Sequence, residues 1–255
     1  MKYLNKTRKR IELFGVQIDP FSMEETLKHV NEIIENCIIT QHVVVNVAKL
    51  IMMQRDKNLK EVVNSCDVIN ADGKGIVWGA RLLGLNIPER VAGIDLMLNV
   101  IKLADKKKYK VYFLGAKYFI INKAIEQIKS QYPNLQIVGY RDGYFSESEE
   151  EKVTKGIKDS EADILFVGMS SPRKELFLKK YINYMQIPFV MGVGGSFDVI
   201  AGYIKRAPIW MQKIGSEWLY RLVSEPKRMW KRYLITNTLF LWMILKALLL
   251  KRKYE

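Results

Sequence analysis

The sequence predicts an α/β protein: a parallel sheet covered by helices on both faces, followed by a basic helical C-terminal appendage. Three observations carry that expectation. From about residue 110 to 195, short apolar runs alternate with helical spacing in the order β-α-β-α-β-α-β, which at this spacing argues for parallel strands. The apolar run 188–195 ends in Gly192, Gly194 and Gly195, a pattern that suits a buried strand entering a loop where backbone comes close to something. The charge is also local. Between Lys205 and Glu255 stand 12 Lys/Arg against 3 Asp/Glu, so +9 of the formal net charge of +14 lies in the last fifth of the chain. The expected division is therefore a core over 1–204 and an appendage over 205–255. A chain of 255 residues, 49% of them apolar, is long enough for one large domain with such an appendage.

Residues 11–19 read as a strand. Ser22 with Glu25 three positions later forms a capping box, and 23–35 then carries helical apolar spacing. The β-branched run 38–46 predicts a strand ending at Asn46, and a helix follows over 47–65. DVINADGKG (67–75) reads as a strand and turn, then a helix toward Leu83. The strands 110–116, 136–140, 162–169 and 188–195 are separated by helices around 117–130, 146–159 and 172–184. Parallel sheets bind ligands beyond the carboxyl ends of their strands. Asn46, Asp72, the 114–116 loop, Ser170–Ser171 and Gly194–Asp198 all fall at predicted strand ends, so they could converge.

Composition narrows the chemistry. Cys37 and Cys66 are expected as buried free thiols, which fits a reducing compartment. With His29 and His42 the only histidines, and no cysteine pair at metal spacing, no structural zinc is expected. The N-terminal MKYLNKTRKR is charged with no apolar stretch behind it, so no signal peptide is expected. The basic tail implies an anionic partner: phosphate groups, nucleic acid or anionic lipid. Its Trp210, Trp218 and Trp230 beside Arg and Lys suit a lipid interface at least as well as a nucleic-acid groove. The run 239–250 is apolar over only 12 residues, against the roughly 20 that span a bilayer, which favours an in-plane amphipathic or re-entrant helix over packing on protein, and both over a span.

Four motifs could carry chemistry. DGKG (72–75) puts a carboxylate in a glycine turn; it reads as a helix-capping aspartate or as a general base. ERVAGIDL (89–96) presents Glu89, Arg90 and Asp95 and reads as a helix start with local ion pairs or as part of a pocket. MSSPRKE (169–175) could cradle a phosphate at a helix start. GVGGSFD (192–198) lacks the G-x-G-x-x-G spacing, so a nicotinamide-dependent oxidoreductase rests on the sheet pattern alone. No D-x-D occurs, so a departing diphosphate would have to be neutralised by Arg or Lys.

Taken in order and spacing, ADGKG, ERVAGIDL, FLGA, GYF, GVGGSFDVIAG, KRAP and EWLYRLVSEPKRMWKRY resemble the WecG/TagA/CpsF family of bacterial glycosyltransferases (family 26) over about 11–235. The resemblance implies a Rossmann-like α/β core with a C-terminal appendage that docks on the membrane and helps complete the site. It implies an inverting, metal-independent enzyme that needs no cofactor. The donor would be a UDP-sugar, with N-acetylmannosamine, its uronic acid or a hexose as the sugar. The acceptor would be a sugar on polyprenyl diphosphate at the cytoplasmic membrane face, in teichoic acid or surface polysaccharide synthesis. Matched by motif, Asp72 would be the base. Asn46 and Arg90 would line the pocket, and Arg221 and Arg228 would reach the diphosphate. Asp95, Lys174, Gly194, Gly195, Asp198 and Arg206 complete the expected substrate-binding set. Two departures bear on the donor sugar: Lys174 stands where the family's G-x-P-K-Q-E motif has an amide, and Val44 where a threonine is common. A homo-oligomer is possible and no nucleic acid is expected as partner, although a non-catalytic membrane- or nucleic-acid-binding protein stays open as the second reading.

Overall fold

The computed structural model describes residues 9–250, apart from the side chains of Lys213 and Arg228. The chain opens with a hairpin, β1 (Ile11–Leu13) and β2 (Val16–Ile18). It continues through α1 (Met23–Glu35), β3 (Thr40–Val45), α2 (Val47–Arg55), α3 (Lys57–Asn64), β4 (Val68–Ala71) and α4 (Lys74–Leu82). Next come α5 (Gly93–Lys107), β5 (Lys110–Gly115), α6 (Tyr118–Gln131), β6 (Gln136–Arg141), α7 (Glu150–Asp159), β7 (Ile164–Gly168), α8 (Arg173–Met185) and β8 (Phe189–Gly192). The chain ends in α9 (Ser196–Ile200), α10 (Ile209–Ile214), α11 (Glu217–Ser224) and α12 (Pro226–Leu249). The expected β-α alternation from 110 to 195 is observed.

Six parallel strands form one sheet in the order β4-β3-β8-β7-β5-β6. Alternate residues of each strand feed opposite faces, as the two-residue repeat of a strand demands. Ile164 and Phe166 join a core with α1, α5 and α6, whereas Leu165 and Val167 join one with α7 and α8. A third cluster unites β1–β4 with α2, α3, α4 and one side of α12 through Phe240 and Ile244. The central strands β7 and β8 are covered on both faces and are apolar throughout, while the edge strand β6 is partly exposed.

The differences from the sequence reading have local causes. The expected strand over 11–19 is a hairpin, because Phe14 and Gly15 turn at φ 54° and 74°. Asp19 then closes the outer edge of β4. Its N–H donates to the Ile69 carbonyl at 2.7 Å and its carboxylate accepts the Ile69 N–H at 2.8 Å, leaving less of the edge open to another strand. The expected helix over 47–65 divides at Asp56, which leaves helical geometry and caps α3 by accepting the Leu59 N–H at 3.0 Å. The ERVAGIDL motif opens α5, a 15-residue helix. Cys66 is buried as expected, with its thiol pushed up to about 12 by desolvation, but Cys37 is exposed because it lies just beyond the end of α1 at φ 52°. The apolar tail is longer than 239–250 suggests: Met229–Leu249 is long and apolar enough to cross a membrane by length and composition. One side of it packs on α2 and α4, and the other leaves Leu241, Trp242, Leu245 and Leu249 exposed.

Candidate active site

The site begins with two adjacent strands. Asn46 follows β3 and caps α2, its Oδ1 accepting the Lys49 N–H at 3.0 Å. Asp72 follows β4, and its N–H donates to the Val45 carbonyl at 2.8 Å. This extra rung holds Asp72 beside Asn46. Gly73 then turns the chain at φ 95°, a region that suits glycine, and α4 starts at once. The loop after α4 is tied back to the same strand by Val91 N–H donating to the Ala71 carbonyl at 2.8 Å, which carries Arg90 to the end of β4.

Four charged side chains close over this strand end. Arg90 is paired with Glu217 at the start of α11 and lies 3.9 Å from Asp95 in the first turn of α5. Arg206 grips the same Asp95 with both Nη atoms, at 2.6 and 2.7 Å, and lies 3.8 Å from Glu217. Two arginines and two carboxylates thus form a closed ring joining the 84–92 loop, α5, the 201–208 segment and α11. Bidentate guanidinium–carboxylate pairing adds directionality as well as charge.

Asp72 titrates at about 6 in this setting. Burial is the main cause, the nearby Glu217 carboxylate adds to it, and Arg90 and Arg221 pull in the opposite direction. A carboxylate poised near neutrality, accepting no side-chain hydrogen bond from the described residues, can take a proton. Asp72, Arg90, Asp95, Arg206 and Arg221 are therefore brought within electrostatic range of one another, and Asn46 stands on the adjoining strand. Arg228 lies on α12, with its side chain outside the described residues.

Lys174 sits elsewhere. It is buried, with its ammonium 3.0 Å from Glu175 Oε1 and donating to Ser171 Oγ at 3.2 Å. The same Glu175 oxygen accepts from Lys49 Nζ at 2.8 Å and from Ser171 at 2.7 Å. Burial and the neighbouring Lys49 charge push Lys174 down to about 8. Burial would raise Glu175, but the two ammonium groups outweigh it and hold the carboxyl at about 2. The Ser171 hydroxyl and the Lys174 ammonium are thus engaged inside the protein, at the start of α8. A β-carbon on Gly192 would lie 2.5 Å from Lys174 Cε, so this glycine makes room for the lysine stem. Gly194, at φ 54°, and Gly195 lead into α9, where the Asp198 carbonyl accepts from the Tyr203 and Ile204 N–H groups at 3.0 and 3.1 Å. Val44 packs toward Gly93 at the start of α5.

Sequence reasoning missed Glu217, Glu175 and Lys49. Glu217 opens a short helix and reads as an ordinary first-turn acid. Glu175 lay inside the MSSPRKE motif without an assigned role. Lys49 gave no signal, since a lysine in the first turn of an apolar helix reads as a solvated charge. Among the described residues no group of three or more His, Cys, Asp or Glu side chains could hold a metal ion.

A parallel α/β sheet with a carboxylate and clustered arginines at its strand ends suits group transfer from a phosphorylated donor, a class the fold alone does not narrow further. The chain belongs to the glycosyl transferase WecG/TagA/CpsF family, whose model matches residues 11–254. It is 38% identical over 180 residues to an N-acetylglucosaminyldiphosphoundecaprenol N-acetyl-beta-D-mannosaminyltransferase of Bacillus subtilis (strain 168), covering 71% of this chain and 69% of that protein. It is 31% identical over 248 residues to a protein of the same description from Staphylococcus aureus (strain MW2), covering 96% and 95%.

Proposed function

We propose that this glycosyltransferase moves N-acetylmannosamine from a UDP donor onto the N-acetylglucosamine of a polyprenyl-diphosphate-linked acceptor, with inversion, at the cytoplasmic face of the membrane. The observation that carries the reading is the placement of Asp72, near-neutral and at a strand end among Arg90, Arg221 and Glu217. Asp72 takes the proton of the acceptor hydroxyl as its oxygen attacks the anomeric carbon. The bond from that carbon to the UDP oxygen breaks, and UDP leaves with the electron pair. Arg221 and Arg228 neutralise the diphosphate charge, while Arg90 is held in place by its pair with Glu217. Asn46, Gly194, Gly195 and Asp198 at the neighbouring strand ends line the donor side, and Lys174 packs under Gly192 just before them. The relatives' descriptions supply the donor sugar and the acceptor. Residues 205–255 act as the appendage that completes the site. The exposed apolar side of α12, with Lys227 and Lys231 near its start, holds the enzyme to an anionic membrane surface.

The test is UDP release from UDP-N-acetylmannosamine with and without an N-acetylglucosaminyl-diphospho-lipid, in EDTA, for wild type and Asp72→Asn. Acceptor-dependent release that collapses in the variant supports the reaction and the base together. Release that survives the substitution moves the base elsewhere, with Asp198 next. Acceptor-dependent release only with another UDP-sugar overturns the donor assignment.

A further inference from the structure

A groove of about 430 Å³ runs between α4 and α10, within the range of roughly 300–1,000 Å³ common for small-molecule sites. Trp78, one turn on from Lys74, lines it from α4 over the buried Val77, and Ile209 and Gln212 line it from α10. Its two ends differ in chemistry. Lys74 and Arg90 stand at the inner end, where α4 and the 84–92 loop both meet Asp72. The outer part is apolar and open: Ile209 is 71% exposed and Trp78 is 53% exposed, and Leu82 and Trp210 continue the apolar surface beyond them. Arg81, a further turn along α4, is fixed by donating to the Ile87 and Pro88 carbonyls at 3.0 and 2.7 Å. Arg81 pairs with no carboxylate among the described residues, and its stem flanks the apolar wall. The one anion in the lining, Glu89, accepts the Met23 N–H at 2.6 Å.

A groove with Lys74 and the Glu217-paired Arg90 at one end, and the exposed Trp78 ring and Ile209 side chain further along, fits a ligand with a charged head and a hydrocarbon tail. We infer that this groove binds a polyprenyl diphosphate, with its diphosphate against Lys74 and Arg90 and its first isoprene units along Trp78 and Ile209. The inference rests on the lipid-acceptor reading above and assigns that acceptor a specific path. The groove aims the sugar end at Asp72. The neighbouring face of α4 is covered by α12, since a β-carbon on Gly79 would lie 2.6 Å from the Phe240 ring. The chain therefore leaves the groove beside the exposed apolar side of α12.

The experiment titrates the full chain with farnesyl diphosphate, farnesol, inorganic diphosphate and UDP, in wild type, Trp78→Ser and Ile209→Asp. Both substitutions are at exposed positions, so the fold is retained. Farnesyl diphosphate is expected to bind tighter than farnesol or inorganic diphosphate, and each variant is expected to weaken it about tenfold, the effect of losing one apolar side-chain contact. In transfer assays, the KM for a long-chain acceptor should rise several-fold more than that for a short, water-soluble one. Unchanged farnesyl diphosphate binding in both variants overturns the inference. So does an equal loss of UDP binding, which would make the groove a nucleotide site. Farnesyl diphosphate binding of the expected pattern without any sugar transfer upholds the groove and removes the proposed reaction.

Discussion

The Arg90 guanidinium pairs with the Glu217 carboxylate across 127 positions of sequence. This contact ties the loop beside Asp72 to the first turn of α11, and with Asp95 and Arg206 it closes a ring of two cations and two anions. It also sets the charge around Asp72, because Glu217 raises the aspartate and Arg90 lowers it. A single ion pair thus links the position of the C-terminal helices to the proton affinity of the proposed base.

The pH profile follows. Asp72 must be ionised to accept a proton, so kcat/KM should fall on the acid side with an apparent midpoint near 6, declining about tenfold per pH unit below it. Glu217→Gln removes the negative charge that raises Asp72 and frees Arg90, so the midpoint should move to lower pH. A rate profile of both proteins between pH 4.5 and 8 checks the sign, and a midpoint that stays or rises would count against the assignment.

Asp72→Asn should lower kcat by about 10²- to 10⁴-fold, the usual contribution of a general base, with a small change in KM. Thermal melting should hardly change, because the Asp72 backbone rung to Val45 is retained.

Glu175 bridges two buried ammonium groups and a hydroxyl. Glu175→Ala leaves Lys49 and Lys174 without their anion and should cost roughly 3–5 kcal/mol, the penalty for breaking a buried pair from one side. Denaturant unfolding measures it. The acid limb has the same origin. With the carboxyl held at about 2 in the fold, its contribution persists above the ordinary value of 4.5 and is lost as pH falls toward 2. The wild type should lose stability over that window, and Glu175→Gln should lose less.

Phe240 fills the space over Gly79 and lies 6.3 Å, edge-on, from the Phe14 ring. Phe240→Ala should cost about 3–5 kcal/mol if α12 stays docked. A smaller loss with faster proteolysis within 226–249 would mean that the helix detaches before the core unfolds.

Binding to vesicles containing anionic lipid should weaken steeply between low and physiological salt, since the basic residues of the tail act through a screened field. Co-sedimentation at several salt concentrations reads this directly. Salt-insensitive binding would point to the apolar side of α12 alone.

The sheet was legible because its strands carry regularly spaced apolar, β-branched runs, and the strand ends marked by Asn46, Asp72 and Gly194 follow from that. The position of Asp72 at a strand end could be read from its glycine turn, whereas its role stayed open there between a helix cap and a base and came only from the family resemblance. The short hairpin was overlooked although Ile11–Ile18 carries its signal: the apolar alternation changes phase at Phe14-Gly15, where both residues turn at positive φ. The glycine run was read as a close approach, but its partner, the Lys174 stem, comes from another helix and cannot be seen locally. Lys49 looks solvated in sequence and Lys174 was expected to face substrate; both are buried, and Glu175 meets both. Arg206 and Glu217 likewise show their pairing only once the 201–208 segment and the start of α11 meet near Asp95.

The order of strands also governs how the protein is made. β3 lies between β4 and β8, and Thr40 pairs with Phe189. During synthesis β3 and β4 can associate early, but the far side of β3 keeps open amide and carbonyl groups until the segment Phe189–Gly192 has emerged. Closing so distant a pairing is slow, and until it closes the nascent chain presents a bare apolar strand to its surroundings. Chaperone dependence in the cell should therefore be greatest for chains interrupted between β4 and β8.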